Sequence, residues 1–431
     1  MKTAMIGQDI PTLLPGLLTD LLYTGREKNA RVAIEESNPA MQDVLRGYGQ
    51  AFFEAAGLGG EILVSGSRDE VLDGADVVFY AGDCQPASRF FQDRTALESD
   101  QEGDPGLTDQ ARVNGGIEGL LHTLRAGSEV MKLCDSMDSR CPQAIVINLG
   151  QPMARMTEIF VRRGYRCFGM GRTPLRGANG LDSYAKRMGL KPDQVDAVIA
   201  GLPGFAFLLD MKEGRMDLLD RLKRAAKKGE LGSLSKRWLG WWDAVPVGDV
   251  TDHAEFLAAQ EDYIPDERPE FGESVEKRKE RILYMNTIRE QGAVSREGAM
   301  AMMLLLSKVP PIRPMRLALA LVRGENADIP AVTRRNGKEL PQLPETAMIE
   351  SGLTLVRGQE ESHGIRLPDA LAEIMREIDE TNRYAAAAAM GDRETLRLCV
   401  ETDPALGGLD RLYCMDVVEA LIELHRDVIG I

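Results

Sequence analysis

Residues 144–174 read A-I-V-I-N-L-G-Q-P-M-A-R-M-T-E-I-F-V-R-R-G-Y-R-C-F-G-M-G-R-T-P, and their pattern decides the fold. A β-branched run, Ile145-Val146-Ile147, ends at Asn148 and gives way to a Gly-Gln-Pro turn. A helical segment follows, and a second short run closes on Gly169, Gly171 and Arg172. Strand, loop, helix, strand, loop is the unit of a parallel sheet, in which ligands sit beyond the carboxyl ends of the strands. Asn148 and the turn at 169–172 both fall at such ends. A plain crossover whose glycines and prolines only make turns would read the same way, so the rest of the chain has to choose.

Upstream, residues 3–7 read as a first strand and 12–24 as an apolar helix, with Gly7-Gln8-Asp9 at the turn between them. A second strand over 31–35 runs into Glu36. This is the order of a dinucleotide-binding unit, with phosphates at the helix N-terminus and an acidic side chain on the ribose hydroxyls. Gly7, Gln8, Asp9 and Glu36 are therefore cofactor-binding candidates. A full G-x-G-x-x-G is absent, because Gln8 and Asp9 stand where glycines would let the backbone approach a pyrophosphate. Asp9 also sets a negative charge beside that of a phosphate. Residues 74–82 read as a buried strand ending in Gly82, which such a strand end places under the cofactor. Residues 89–113 are polar and read as a loop or lid. Asn114-Gly115-Gly116-Ile117 opens a helix over about 118–137. Asn114 either caps it or, with the free helix N–H groups, meets an anionic or hydroxyl-rich ligand.

After residue 174 the pattern changes. Residues 196–201 and 205–211 read as a hairpin turned by Leu202-Pro203-Gly204. A basic helical piece follows over 221–228. Trp238, Trp241 and Trp242 form either a packed helix face or an aromatic platform for a sugar. Residues 261–281 begin as a charged loop and end as a solvated helix, with Tyr263 as an acid or base candidate. The apolar run 300–307 reads as core, its methionines included. Residues 336–344 read as loop, and from 368 onward helical spacing breaks near 403–404 and 407–408. The fold class is α/β. A Rossmann-like, doubly wound dinucleotide-binding domain is expected over 1–190, and an α+β domain for substrate binding and oligomerisation over 191–431.

Composition narrows the function. The 431 residues carry a net charge of −15, which repels nucleic-acid backbones. No run approaches the roughly twenty apolar residues that span a bilayer, and the start, M-K-T-A-M-I-G, goes straight into a strand, so no membrane partner and a cytoplasmic location are expected. Six cysteines form no C-x-x-C pair, and four scattered histidines give no metal-ligand spacing.

Taken together, these segments resemble glycoside hydrolase family 4, NAD-dependent and manganese-dependent glycosidases related in fold to lactate and malate dehydrogenases. Residues 74–82 resemble the family's A-D-F-V-I strand, and Asn114-Gly115-Gly116-Ile117 its G-P-G-G-I turn. Ile147-Asn148-Leu149-Gly150-Gln151-Pro152 resembles I-N-x-x-N-P. Residues 336–344 resemble N-x-G-x-I-P-N-L-P, 345–350 its tail, and Leu367-Pro368, Gly391-Asp392-Arg393, Asp403-Pro404 and His425-Arg426-Asp427 the C-terminal helices.

The resemblance implies a sugar or glycoside substrate, NAD as cofactor and a homodimer or homotetramer. It implies oxidation of the C3 hydroxyl, removal of the C2 proton, elimination of the glycosidic oxygen, addition of water and re-reduction. It places Asn148 beside cofactor and substrate, with Asn114 and Gln151 on the substrate. Glu36 would repel a 2′-phosphate, which favours NAD over NADP. In the family the metal is held by a Cys in G-L-C-H and a His in A-G-x-N-H. Here the Cys position is Gly171, the Asn and His positions are Pro203 and Gly204, and the second Asn of I-N-x-x-N-P is Gln151. Glycine offers no side-chain ligand, so a manganese site is not expected. Arg172 is the candidate cation for an enolate oxygen, or else an anchor for a substrate carboxylate or phosphate, or a surface ion pair. Tyr263 is the candidate C2 base. Two further readings stand beside this one: a sugar or hydroxy-acid dehydrogenase that stops at oxidation, and a non-catalytic ligand-binding relative.

Overall fold

The protein is described here by a computed structural model that covers residues 1–431 except 26–28, 83–86, 100–112, 172–173, 176, 178, 249, 259–274, 293–294, 309–311 and 431. The first half alternates strand and helix: β1 (Lys2–Ile6), α1 (Ile10–Thr24), β2 (Arg31–Glu35), α2 (Pro39–Ala56), β3 (Glu61–Ser65), α3 (Arg68–Leu72) and β4 (Val77–Tyr80). It continues through α4 (Ala87–Ser99), α5 (Gly116–Arg140), β5 (Ile145–Asn148), α6 (Met153–Arg162) and β6 (Cys167–Gly169). These six strands are parallel and lie in the order β6-β5-β4-β1-β2-β3. That is the doubly wound order with its reversal between β1 and β4. Strand β4 is buried along its whole length, as a central strand covered by helices on both faces has to be.

The second half begins with α7 (Leu181–Arg187), β7 (Asp196–Leu202), β8 (Phe205–Glu213), β9 (Met216–Asp217), α8 (Leu219–Lys227), α9 (Ser233–Trp242) and β10 (Val245–Val247). Then come α10 (Val250–Ala254), α11 (Val275–Gln291), α12 (Arg296–Leu306), α13 (Pro314–Arg323), β11 (Ala327–Arg335), β12 (Met348–Val356) and β13 (Gln359–Glu361). Helices α14 (Asp369–Ala389), α15 (Arg393–Thr402) and α16 (Arg411–Leu424) close the chain. The expected hairpin is β7–β8, and its strands pair antiparallel with β10, β12 and β9. Trp242 is buried against Phe205 and Phe207 and Trp238 against Trp242, so the tryptophans make a packed helix face, with only Trp241 half exposed.

Two expectations are corrected. Residues 89–99 of the supposed loop or lid belong to α4, where Asp93 and Arg94 are buried and paired. Asp93 accepts from Arg125 at 2.8 Å and meets His425 Nε2, while Arg94 pairs with Glu118 at 3.3 Å. Partners that distant in sequence leave no local signal. The run 300–307 is not all core either: Met302 is fully buried, but Met300 and Met303 are 56% and 69% exposed. The helical period turns them outward. No helix among the described residues is long and apolar enough to cross a membrane.

Parallel and antiparallel halves form one sheet, joined among the described residues by the single pair Thr333↔Gly169 between β11 and β6. A Cβ at Gly169 would meet Met153 Sδ at 2.5 Å and Thr333 Cβ at 2.8 Å, so only glycine lets the strands close there. Gly169→Val should therefore destabilise the protein by about 1–3 kcal/mol, the usual cost of overpacking. Urea unfolding followed by circular dichroism measures this, and an unchanged midpoint would contradict the tight joint.

Candidate active site

A cavity of about 420 Å³ opens where the strand order reverses. Its walls come from the ends of β1 (Ile6, Gly7, Gln8), β2 (Glu35, Glu36, Ser37) and β4 (Tyr80, Gly82), with Gly66, Arg68, Glu129, Leu133 and Arg278 around them. Four of the five cofactor candidates from the first turns, Gly7, Gln8, Glu36 and Gly82, are thus brought together. Gly7 has φ +122°, and a Cβ there would stand 2.4 Å from the backbone of Ala81. This turn presses on the end of β4 and accepts no larger residue. The fifth, Asp9, is outside the cavity lining. Sequence reasoning missed Tyr80, Arg68 and Arg278, since an aromatic at a strand end and arginines 60 to 270 residues away form no motif.

The start of α1 spends its own donors. Asp9 N–H donates to the Ala81 carbonyl at 3.0 Å and Ile10 N–H to that of Gly7 at 3.2 Å. Pro11 has no N–H, and the Thr12 and Leu13 amides return to the Asp9 carbonyl. Glu36 Oε1 accepts from the Asn38 amide at 2.8 Å, while Glu35 pairs with Arg68 at 3.0 Å, partly buried.

At the end of β5, Asn148 is completely buried. Its Nδ2 donates to Thr157 Oγ1 at 3.0 Å and to the Met153 carbonyl, and its Oδ1 accepts from the Gly150 amide at 2.9 Å. Its side chain shapes the 149–153 loop. Gln151 is half-buried, and its Oε1 accepts from the Met153 amide at 2.9 Å across the cis Gln151–Pro152 bond. Asn114 does not cap α5, whose N-cap is Gly115. Glu255 Oε2 instead accepts from the amides of Val113 and Asn114 and from Asn114 Nδ2, at 2.9 to 3.0 Å. The Gly116 N–H of that helix end donates to Asp403 Oδ2 at 2.8 Å, so part of the expected anion site is already filled by protein carboxylates. Arg172 and Tyr263 lie outside the described residues.

Beside this cluster stands a carboxyl that the sequence did not single out. Glu350 is 3% exposed on β12, opposite Gly201 of β7 and Thr333 of β11, and accepts a hydrogen bond from the Gly204 amide in the hairpin turn. Burial pushes its acid up to about 8 against that bond. It is a neutral acid at pH 7, directly behind the turn that carries Pro203 and Gly204. Asp379 of α14, which accepts from the Met348 amide, is raised by burial to about 6.

Among the described residues no group of three His, Cys, Asp or Glu side chains stands close enough to hold a metal ion. Cys167, two residues before Gly169, is buried in the core, and desolvation holds its thiol well above the usual range.

Residues 3–173 match the profile of the family 4 glycosyl hydrolases. An α-galactosidase of Bacillus subtilis is 29% identical over 124 residues, which are 28% of this chain and 28% of that protein. The match therefore spans less than a third of that relative. The structure of a putative glucosidase, lplD, from Bacillus subtilis superposes with a TM-score of 0.77 at 16% identity, over 98% of this chain and 99% of the other. A 6-phospho-α-glucosidase from gut microorganisms, solved with NAD and Mn²⁺, superposes with a TM-score of 0.76 at 14% identity, over 99% and 98%. At such identities the likeness is one of fold.

The Glu350 acid sets a pH dependence. It ionises near 4.5 in the unfolded chain and near 8 in the folded one, so folding takes up a proton between these values. Its contribution is full below pH 4.5 and lost as pH rises to about 8. Glu350→Gln should flatten that fall and be more stable than the parent at pH 8, by on the order of 4 kcal/mol for a shift from 4.5 to about 8 at 1.36 kcal/mol per pKa unit. Melting curves from pH 5 to 9 check it; parallel profiles would contradict the assignment.

Proposed function

We propose that this chain, a family 4 glycosyl hydrolase by the match of its residues 3–173, cleaves a sugar glycoside with NAD and without the manganese site of its relatives. The observation that carries the reading is the cavity at the β1/β4 reversal, lined by Gly7, Gln8, Glu36 and Gly82. It accommodates a dinucleotide on three counts. Gly7 brings the backbone turn close, Glu36 offers a carboxylate to ribose hydroxyls, and Gly82 leaves the floor over Tyr80 bare. Bound there, NAD would accept and return a hydride. The finding of NAD in a structural relative supports the same reading.

The residues of the chain do the rest. Asn148 holds the 149–153 loop at the end of β5, and with it Gln151, towards the substrate. Asn114, fixed by Glu255, faces the Gly204 turn, to which its Nδ2 would be 3.8 Å from an added Cβ. Arg172 follows the glycine at 171, and its permanent charge suits an oxygen that becomes anionic when the C2 proton leaves. Tyr263 is the base we assign to that proton. Manganese does not fit: Gly171, Pro203 and Gly204 carry no donor, and no step is assigned to a metal. We place the functional division near residue 190, between α7 and β7, and take the protein to be a cytoplasmic homodimer or homotetramer.

The test is cleavage of nitrophenyl glycosides and their 6-phosphates in D₂O. Activity that depends on added NAD, survives EDTA and puts deuterium at C2 of the product is the expected result. Arg172→Ala should lower kcat by at least tenfold and Tyr263→Phe should suppress the exchange. NADH accumulating in proportion to a stable keto product would identify a dehydrogenase instead, and absence of NAD binding would overturn the reading.

A further inference from the structure

The cofactor cavity has a phosphate problem that its first turn does not solve. A dinucleotide diphosphate ordinarily rests on the free N–H groups of a glycine-rich turn and helix start. Here Asp9 and Ile10 donate to Ala81 and Gly7, Pro11 has no donor, and Thr12 and Leu13 point back to Asp9. The side chains around the cavity add to the deficit. Glu35 is paired with Arg68 and Glu129 with Lys132, which leaves the Glu36 carboxylate uncompensated. Without another cation, two phosphate charges would face net negative walls in a chain of net charge −15.

Arg278 is that cation. It lines the cavity from outside the Rossmann half, on α11, and no ion pair or hydrogen bond ties it to another described residue. Its position is set by the helix. Positions 278, 281, 285 and 288 recur at helical spacing on one face. Met285 and Ile288 are buried with Tyr48 and Phe52 of α2, and Arg281 donates to the Thr12 carbonyl in the first turn of α1 at 2.8 Å. One turn before that clamp, Arg278 reaches the cavity shared with Gly7 and Gln8.

Resting on the NAD reading above, we propose that Arg278 binds the diphosphate of the cofactor, supplying from α11 the charge that the glycine-poor first turn lacks. Guanidinium–phosphate hydrogen bonds are charge-assisted and two-pronged, which suits an anion that backbone donors leave short. The site is then shared between two parts of the chain, and α11 is a component of cofactor binding as well as a packing helix.

Calorimetric titration with NAD, ADP-ribose and adenosine tests this without any turnover. Arg278→Gln should weaken NAD and ADP-ribose at least tenfold, reduce the salt dependence of both, and leave adenosine and the ligand-free melting temperature unchanged. Lys279→Gln removes the same charge one residue along the helix and should change NAD affinity less than twofold. If the parent binds NAD and Arg278→Gln binds it equally well, with the same salt dependence, this assignment is wrong while the NAD reading stands. A parent that binds neither NAD nor ADP-ribose overturns both.

Discussion

The close approach of Gly169 to Thr333 is the contact on which the architecture turns. Among the described residues it is the only ladder pair between the parallel strands and the antiparallel ones, and no Cβ fits there. Through it β11 is laid beside β6, β12 beside β11, and the β7–β8 hairpin beside β12. Gly169, Thr333, Glu350 and Gly201 thereby fall in one row across the sheet, although their strands are far apart in sequence. The buried Asn148 amide, with its bonds to Thr157 and Gly150, fixes the loop next to that joint.

The chemistry around the joint rests on burial and on arginines. Side chains that could bind a cation are missing at 171, 203 and 204, and the carboxyl nearest the turn, Glu350, is kept protonated by burial. A buried carboxyl with no compensating charge beside it favours its neutral form. Charge is instead carried by arginines. Arg155 is wholly buried and bound by Thr123, Asn382 and the Gly119 carbonyl, and Arg278 stands at the cavity of the β1/β4 reversal.

Much of this was legible along the chain. The βαβ pattern of 144–174, the hairpin at 196–211 and the terminal helices are local periodicities, and each appears where it was read. Gly7 and Gln8 of the first turn and the acids at 35–36 also stand at one cavity, as their order implied, while Asp9 lies outside its lining. What could not be read were the polar residues whose partners are far off in sequence. Asp93 and Arg94 looked like loop residues until His425, Arg125 and Glu118 covered them. Asn114 looked like a helix cap until Glu255 took its amide.

The sequence by itself determined the strand and helix order, the missing metal ligands and the absence of a full glycine-rich turn, because these are properties of residue type and short spacing. Tertiary structure decided that α11 lies over the first turn of α1, that β12 buries Glu350 behind Gly204, and that the donors of that first turn are already used. These depend on which surfaces meet. Burial and competition for hydrogen bonds arise only when segments tens or hundreds of residues apart come into contact, and no local pattern encodes them.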